Sequence, residues 1–189
     1  LQQIIDEQPV GYPIDMRATL SLSINSGSIY EIAYAPIMEA SVTLTKGWNF
    51  IGLPVMAMKT ERNLLERLVN SSDGSEVLWY WENDAYKIWP NNEPLRPELG
   101  YFFYSHDEST TLAIKGIKAD GVMSLQPGWN FVSIPGNHLM PIAEGMISRV
   151  WHLNDSKYQP VVNGDSPKTG GCYWIFINAD EPVMVNLGN

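Results

Sequence analysis

Three histidines and one cysteine are the residues in this 189-residue chain best suited to bind a metal or act as a nucleophile. No two of His106, His138 and His152 stand at a metal-ligand spacing, and Cys172 has no second cysteine to accompany it. Cys172 lies in an apolar run, where no neighbouring charge would lower its pKa. The pattern therefore predicts surface or loop histidines, a buried and unreactive thiol, no metal site and no cofactor.

Paired carboxylates are a second set of candidate catalytic groups. A glycoside hydrolase needs two carboxylates that lie close together in the folded protein, whatever their separation in the sequence. The candidates are Glu76, Glu82, Asp84 and Asp155, which lie around two predicted hairpins. No pattern singles out one pair, and no GxSxG turn marks a serine nucleophile. The sequence favours a protein that is not an enzyme, with an extracellular glycan-acting hydrolase as the alternative.

Composition limits the classes of partner. Hydrophobic residues make up 44% of the chain and charged residues 17%, which is enough apolar material for a packed core. The net charge of −9 repels nucleic-acid phosphates, and no basic stripe offsets it. No apolar run reaches the roughly 18 residues of a spanning helix. We therefore expect no nucleic-acid partner and no membrane insertion.

One phrase occurs twice in the chain. LTKGWNFIGLP (44–54) and LQPGWNFVSIP (125–135) are identical at six of eleven positions and lie 81 residues apart. Farther on, LWYWENDAYKIW (78–89) aligns with VWHLNDSKYQPV (150–161) at a separation of 72 residues. The two pairs of matching stretches occur in the same order in both units, and the separation changes once, by nine residues, between them. They predict an internal duplication.

The duplication separates two groups of aromatic residues. Those that recur in both units are expected to form a shared core, whereas Tyr80 and Trp89 have no aromatic counterpart. These two are the better candidates for the surface, where they would form a platform that binds a glycan by stacking, and core packing is the alternative reading for any single aromatic residue. Asn49 and Asn130 lie in apolar strands, so each should bond backbone groups of a neighbouring turn in the same way. The repeat signature consists of Trp48, Asn49, Pro54, Trp79, Tyr86, Trp129, Asn130, Pro135, Trp151 and Tyr158.

Alternating apolar residues and frequent turn residues predict a mainly β fold with a minor helical part. Asn83-Asp84 predict the turn of a hairpin, and Pro54 and Pro135 are expected to stop their strands because proline has no N–H to donate. GYFFYS (100–105) and TTLAIKG (110–116) predict two further strands. The architecture is two tandem, pseudo-equivalent antiparallel β modules, each a small sandwich or barrel. Residues 59–70 predict one short amphipathic helix in the first module. The modules span 41–116 and 122–189, and residues 1–40 form an N-terminal hairpin or extension, or the remnant of a preceding repeat.

The pattern GWN(F/L)(I/V)(S/G)(L/I)P, followed by W…Y and GY(W/F), resembles a β-rich repeat of bacterial secreted and cell-surface proteins. The resemblance covers 41–116 and 122–188, and implies a non-catalytic accessory module on an exported protein. That family has no agreed catalytic residues, so the resemblance assigns no site. One departure is Cys172-Tyr173, where the first unit has Gly100-Tyr101.

The resulting hypothesis is a module of a secreted or surface-attached bacterial protein that serves binding, adhesion or spacing. The first residue, Leu1 rather than Met, fits removal of a signal peptide or of an upstream domain. The expected partners are carbohydrate, another surface protein or neighbouring domains of the same chain. A purely structural inter-domain assembly module is the remaining alternative.

Overall fold

The fold is mainly β, with several antiparallel sheets. The computed structural model describes residues 2–5, 8–10, 29–31, 35–57, 77–90, 93, 95–119, 121–135, 146–154, 157–161 and 170–187. No helix occurs in these residues, and the helix predicted over 59–70 lies outside them. The strands are β1 (Gln2–Ile5), β2 (Gln8–Val10), β3 (Ile29–Glu31), β4 (Met38–Ile51), β5 (Met56–Ala57), β6 (Leu78–Glu82), β7 (Ala85–Ile88), β8 (Tyr101–Ile117), β9 (Val122–Leu125), β10 (Gly128–Ile134), β11 (Ile147–Asn154), β12 (Lys157–Pro160), β13 (Gly171–Ile177) and β14 (Val183–Asn186).

The N-terminal residues contribute a small sheet of their own. Strands β2, β1 and β3 lie side by side in that order, and both pairings are antiparallel. The first module was predicted to begin at residue 41, but β4 already pairs with β8 from Met38 onward. The boundary therefore falls inside a strand, because the ladder with β8 extends three residues beyond the repeated sequence pattern.

The first large sheet has the strand order β4-β8-β6-β7, and β5 pairs with the end of β8. The sequence predicted two strands between residues 101 and 116, whereas β8 is a single strand of 17 residues. The predicted β6–β7 hairpin is confirmed. Its turn residues, Asn83 and Asp84, have φ angles of 52° and 54°. Two left-handed residues in succession are typical of the turn that matches the strand twist of a hairpin.

The second large sheet has the strand order β10-β13-β11-β12, and β9 pairs separately with β14. Its pairings match those of the first sheet residue for residue along the repeated stretches. The matching pairs are Trp48–Tyr104 with Trp129–Phe176, Phe50–Phe102 with Phe131–Trp174, Trp79–Phe102 with Trp151–Trp174, and Trp81–Tyr86 with Leu153–Tyr158.

The repeated Gly-Trp-Asn corner has the same hydrogen bonds in both sheets, as predicted for the two asparagines. Asn49 Oδ1 accepts from the Thr45 N–H at 2.8 Å, while Asn49 Nδ2 donates to the carbonyls of Thr45 and Gly47. Gly47 has a φ of 97°, a conformation that favours glycine. The corresponding bonds join Asn130 to the Gln126 N–H, the Gln126 carbonyl and the Gly128 carbonyl at 2.8, 2.7 and 3.2 Å.

Each large sheet covers its own hydrophobic core on one face. The first core is built around Tyr101, Phe103 and Ile114, and the second around Tyr173, Ile175 and Ile177 of β13 together with side chains from β9 and β14. Alternation along β13 sends Trp174 and Phe176 to the opposite face of the sheet. The faces that do not cover a core are therefore the ones rich in aromatic residues.

The backbone of the first sheet reaches the open edge of the second. The residues preceding β8 run antiparallel to β10, with a bridge between Leu99 and Val132. In this antiparallel pairing, the Ser133 N–H donates to the Glu98 carbonyl at 3.0 Å, and the Gly100 N–H donates to the Phe131 carbonyl at 3.2 Å. These bonds pair much of the otherwise free edge of β10.

Aromatic packing joins the same two sheets. Phe102 stacks on Phe131 with ring centroids 4.1 Å apart, and Phe50 meets Phe131 edge-on at 5.4 Å. Gly52 lies against the backbone of Gly170 and the side chain of Ser133, so a Cβ at Gly52 would clash. Close backbone approach and aromatic stacking thus bring the two aromatic faces together. We refer to this contact as the seam.

Candidate functional site

Four tryptophans meet beside the seam, three of them on the aromatic face of the second sheet. Trp174 lies in the middle of β13, opposite Phe131 on β10 and Trp151 on β11. Trp129 lies two residues before Phe131, and its ring meets Trp174 edge-on at 6.2 Å. Side chains at paired positions on adjacent strands share one face, so β10, β13 and β11 present their rings together.

The fourth tryptophan comes from the first sheet. Trp81 is the next-to-last residue of β6, and its indole is directed at the second sheet, where Nε1 donates to the Trp129 carbonyl at 2.9 Å. Its ring meets Trp174 at 5.2 Å and Tyr86 at 4.9 Å, both edge-on. Trp81 therefore closes one side of the site and joins the two sheets there.

Together these side chains enclose an open groove of about 550 Å³. Its lining is dominated by rings from β6, β7, β10, β11, β12 and β13. All four tryptophans are half-buried, so each ring keeps part of its surface accessible to a ligand. The lining residues are Trp81, Tyr86, Trp129, Arg149, Trp151, Tyr158 and Trp174.

Polar groups at the groove are few and lie at the edges of the rings. Tyr86 and Tyr158 are 54% and 52% exposed. Burial raises the pKa of Tyr86, and the neighbouring Tyr158 phenol adds to the shift, which places the two phenols near one another. Within the described residues, the indole N–H groups of Trp129, Trp151 and Trp174 have no hydrogen-bond acceptor. No described residue occupies these donors or the guanidinium of Arg149.

The platform predicted at Tyr80 and Trp89 is wrong in its exposure. Trp89 is 3% exposed and Tyr80 is half-buried, and their rings meet edge-on at 5.0 Å against the first core. Trp89 also contacts Tyr101 at 5.4 Å and lies under the Arg96 guanidinium. These residues face inward because Tyr80 pairs with Tyr101, on the face of the sheet that covers the core. Trp89 therefore offers no free ring face to a sugar, and Tyr80 packs its ring against Trp89.

The core position predicted for the recurring aromatics is also wrong for three of them. Trp48 is 62% exposed, and Tyr86 and Tyr158 are exposed to similar degrees. Trp79, Trp129 and Trp151 are half-buried. Tyr101 and Tyr173, at 0% and 5% exposure, are the recurring pair that lies fully in the cores. Pro54 and Pro135 are buried just beyond the ends of β4 and β10, where they were expected to stop the ladders.

A second, smaller cavity of about 170 Å³ lies between Trp81 and Trp129 and contains two carboxylates, Glu82 and Glu98. The hydrogen bond from Lys87 Nζ to Glu82, 2.7 Å long, lowers the pKa of that carboxyl. Glu98 lies 3.9 Å from the guanidinium of Arg96. A glycosidase acid instead requires a raised pKa, and the lowered pKa of Glu82 does not suit that role.

The other candidates for chemistry are dispersed. Cys172 is half-buried as a residue, and burial of its thiol raises the pKa to about 12, which disfavours the reactive thiolate. Asp84 is exposed on its turn, whereas Glu76, Asp155 and His138 lie outside the described residues. His106 is exposed beside Tyr104, and His152 is half-buried near Tyr173. In the described part of the chain, no three acidic, histidine or cysteine side chains are placed to hold a metal ion.

Sequence reasoning missed the groove, although one signal for it was present. In GCYWIFI, alternation places Trp174 on the opposite face from the buried Tyr173, and this predicts an aromatic residue away from the core. Arg149 carried no comparable signal, because its direction depends on a bulge in β11.

Among the described residues, no helix is long and apolar enough to cross a bilayer. Comparisons with family models, curated proteins and solved structures found no match to this chain.

Proposed function

We propose that this chain is a non-catalytic, glycan-binding part of a secreted or surface-attached bacterial protein, and that the glycan lies in the aromatic groove. The observation that carries the proposal is the convergence of four tryptophans and two tyrosines from two sheets around one open volume. A solvent-facing cluster of this kind forgoes the stabilisation that full burial of its rings would bring. A ligand that covers the rings accounts for it.

Sugar rings match this surface in two ways. Their C–H faces are apolar and flat enough to stack on indole rings, while their hydroxyls project from the ring edges. In the groove the indole N–H groups and the two phenols lie at the edges of the aromatic rings, where sugar hydroxyls would meet them. A purely apolar ligand would leave these donors unpaired, which costs binding free energy.

The proposal includes two tandem, pseudo-equivalent modules that arose by duplication. Matching strand orders and matching residue pairs in the two large sheets support this organisation. The equal hydrogen bonds of Asn49 and Asn130 support it as well. The groove lies where the two modules meet, and both contribute rings to it, so neither module alone would hold the complete site.

A binding role is favoured over hydrolysis because no carboxylate lines the groove within the described residues. The nearest pair of acids, Glu82 and Glu98, is associated with cations in the adjacent smaller cavity. Glycoside hydrolysis needs one carboxyl that stays protonated beside the scissile bond. The lowered pKa of Glu82 works against such a role.

The test is a glycan array probed with the wild-type chain and two matched variants. Trp151→Ala removes a groove ring that makes no ring contact with a described aromatic residue, so folding should survive. We expect an affinity loss of roughly 30-fold, since a central stacking residue is worth about 2 kcal/mol. Trp48→Ala removes an exposed tryptophan outside the groove, and should leave binding unchanged.

Two results would contradict the proposal. One is an equal loss of binding in both variants, which would place the ligand elsewhere. The other is the absence of glycan binding by the wild type combined with binding of a proline-rich peptide, which also stacks on aromatic grooves. Circular dichroism of each variant checks that the fold is intact.

A further inference from the structure

We infer that the glycan is anionic, with a carboxylate on its sugar rings as in uronic acids, and that Arg149 holds that carboxylate. The inference rests on the proposed function and specifies the ligand class for the same groove. Arg149 is the only charged residue among the described side chains that line the groove. The site therefore combines ring-stacking surfaces with one fixed positive charge.

A β-bulge directs Arg149 to the groove. Ile147 pairs with Ile177, whereas Arg149 pairs with Phe176, so Ser148 is an extra residue in β11. Without it, Ile147 and Arg149 would share one face of the sheet, because side chains alternate with period two. The bulge lets Ile147 pack against the second core while Arg149 points to the aromatic face. Bulges commonly re-aim a side chain next to a functional site.

Among the residues that the structure describes, none occupies the guanidinium of Arg149. No hydrogen bond or ion pair joins it to any described residue. Three lysines of the first large sheet are paired: Lys46 with Glu108 at 2.7 Å, Lys87 with Glu82 at 2.7 Å, and Lys115 with Glu39 at 3.2 Å. Arg149 differs from them, and from the exposed Lys157 of β12, because it lies beside the aromatic rings of the groove. No described residue occupies its five N–H donors.

Guanidinium geometry favours a carboxylate as the partner. The planar fork of donors matches the two oxygens of a carboxylate and forms two parallel, charge-assisted hydrogen bonds. In a uronic acid the carboxylate projects from the ring edge, so it can meet a rim arginine while the ring face stacks on tryptophan. The net charge of −9 acts against anions at long range. Physiological salt screens that repulsion beyond about 8 Å, so the direct contact between Arg149 and the carboxylate has the larger effect on affinity.

The experiment compares uronic-acid oligosaccharides with their carboxyl-reduced counterparts, which keep the same rings and linkages without the charge. Oligogalacturonate, alginate and hyaluronan oligosaccharides serve as the acid probes, and titration calorimetry on the full 189-residue chain gives the affinities. We expect the acid form of the bound probe to bind about tenfold tighter than its reduced form.

Arg149→Gln should remove that preference, because it weakens binding of the acid form much more than binding of the reduced form. Arg149→Lys keeps the charge but loses the fork, so an intermediate preference is expected. Lys157→Gln, which removes an exposed cation of the adjacent strand outside the groove, is the matched control and should change neither affinity. Because Arg149 is exposed, the substitutions should not disturb folding.

The outcomes separate the two proposals. Equal affinity of the acid and reduced forms, with both lost in Trp151→Ala, would overturn the acidic-glycan inference and keep the glycan-binding groove. An acid preference that survives Arg149→Gln would also overturn it. Failure of every acid and reduced probe to bind would overturn the inference, and failure across the neutral glycans of the array would overturn the proposed function as well.

Discussion

The two copies of the Gly-Trp-Asn corner share a sequence and a hydrogen-bond pattern, yet their tryptophans have different surroundings. Trp48 is 62% exposed, whereas Trp129 is half-buried in the wall of the groove. Each makes the same edge-on contact within its own sheet, Trp48 with Tyr104 at 5.5 Å and Trp129 with Phe176 at 5.1 Å. The difference therefore arises outside the corner itself.

One difference between the two surroundings is Trp81 of the first hairpin. Trp81 donates its indole N–H to the carbonyl of Trp129 and packs against Trp174. At the matching register position in the second hairpin stands Leu153, which has no donor and a smaller side chain. Two sheets with matching residue pairs can thus build one site, because they differ where Trp81 of one corresponds to Leu153 of the other.

The largest expected effect concerns the seam. Phe131 is 2% exposed and contacts rings from both sheets, whereas the matching Phe50 is half-buried. We expect Phe131→Ala to lower the free energy of unfolding by about 3–5 kcal/mol. Phe50→Ala should cost clearly less. Urea denaturation measures both, and equal costs would show that the two phenylalanines support the seam symmetrically.

An intermediate effect is expected from the asparagines. Asn49→Ala and Asn130→Ala each remove three hydrogen bonds and leave backbone groups of the turn without a partner. Each should lower the free energy of unfolding by about 1–3 kcal/mol. The two costs should agree within error, because the local bonds are the same. A loss in one variant only would break the equivalence of the corners.

The smallest effect on stability is expected for Trp81→Leu, which copies Leu153 into the first hairpin. The loss of one hydrogen bond should cost about 1 kcal/mol. The informative readout is exposure: Trp129 should become as reactive as Trp48 in hydroxyl-radical footprinting followed by mass spectrometry. Trp48 serves as the internal reference. Unchanged protection of Trp129 would show that another residue makes the corners different.

Much of the local structure followed from the sequence. Asn83-Asp84 predicted the β6–β7 hairpin, and Pro54 and Pro135 marked the ends of their strands. The two asparagine corners were predicted together with their bonding. These features depend on residues a few positions apart, whose backbone preferences and short-range hydrogen bonds act before any distant contact forms.

The groove depended on distant contacts. A period of two shows that Trp174 and Tyr173 face opposite sides of β13, but it does not show which side meets solvent, a core or another sheet. Recurrence in both units led to the expectation that the shared aromatics form the cores, although several of them face the seam or the groove. The lack of a counterpart pointed to Tyr80 and Trp89 as exposed, although both pack against the first core.

The sequence by itself determined the strands, the turns and the repeated corners of this protein, because each is set by alternation, glycine or proline within a short window. Only the tertiary structure decided which aromatic faces are covered and where the groove lies. That outcome depends on the packing of Trp81 against Trp174, which are far apart in the sequence, and on the bulge between Ile147 and Arg149 in β11. Packing of this kind is a property of two sheets in contact, and no single stretch of the chain contains it.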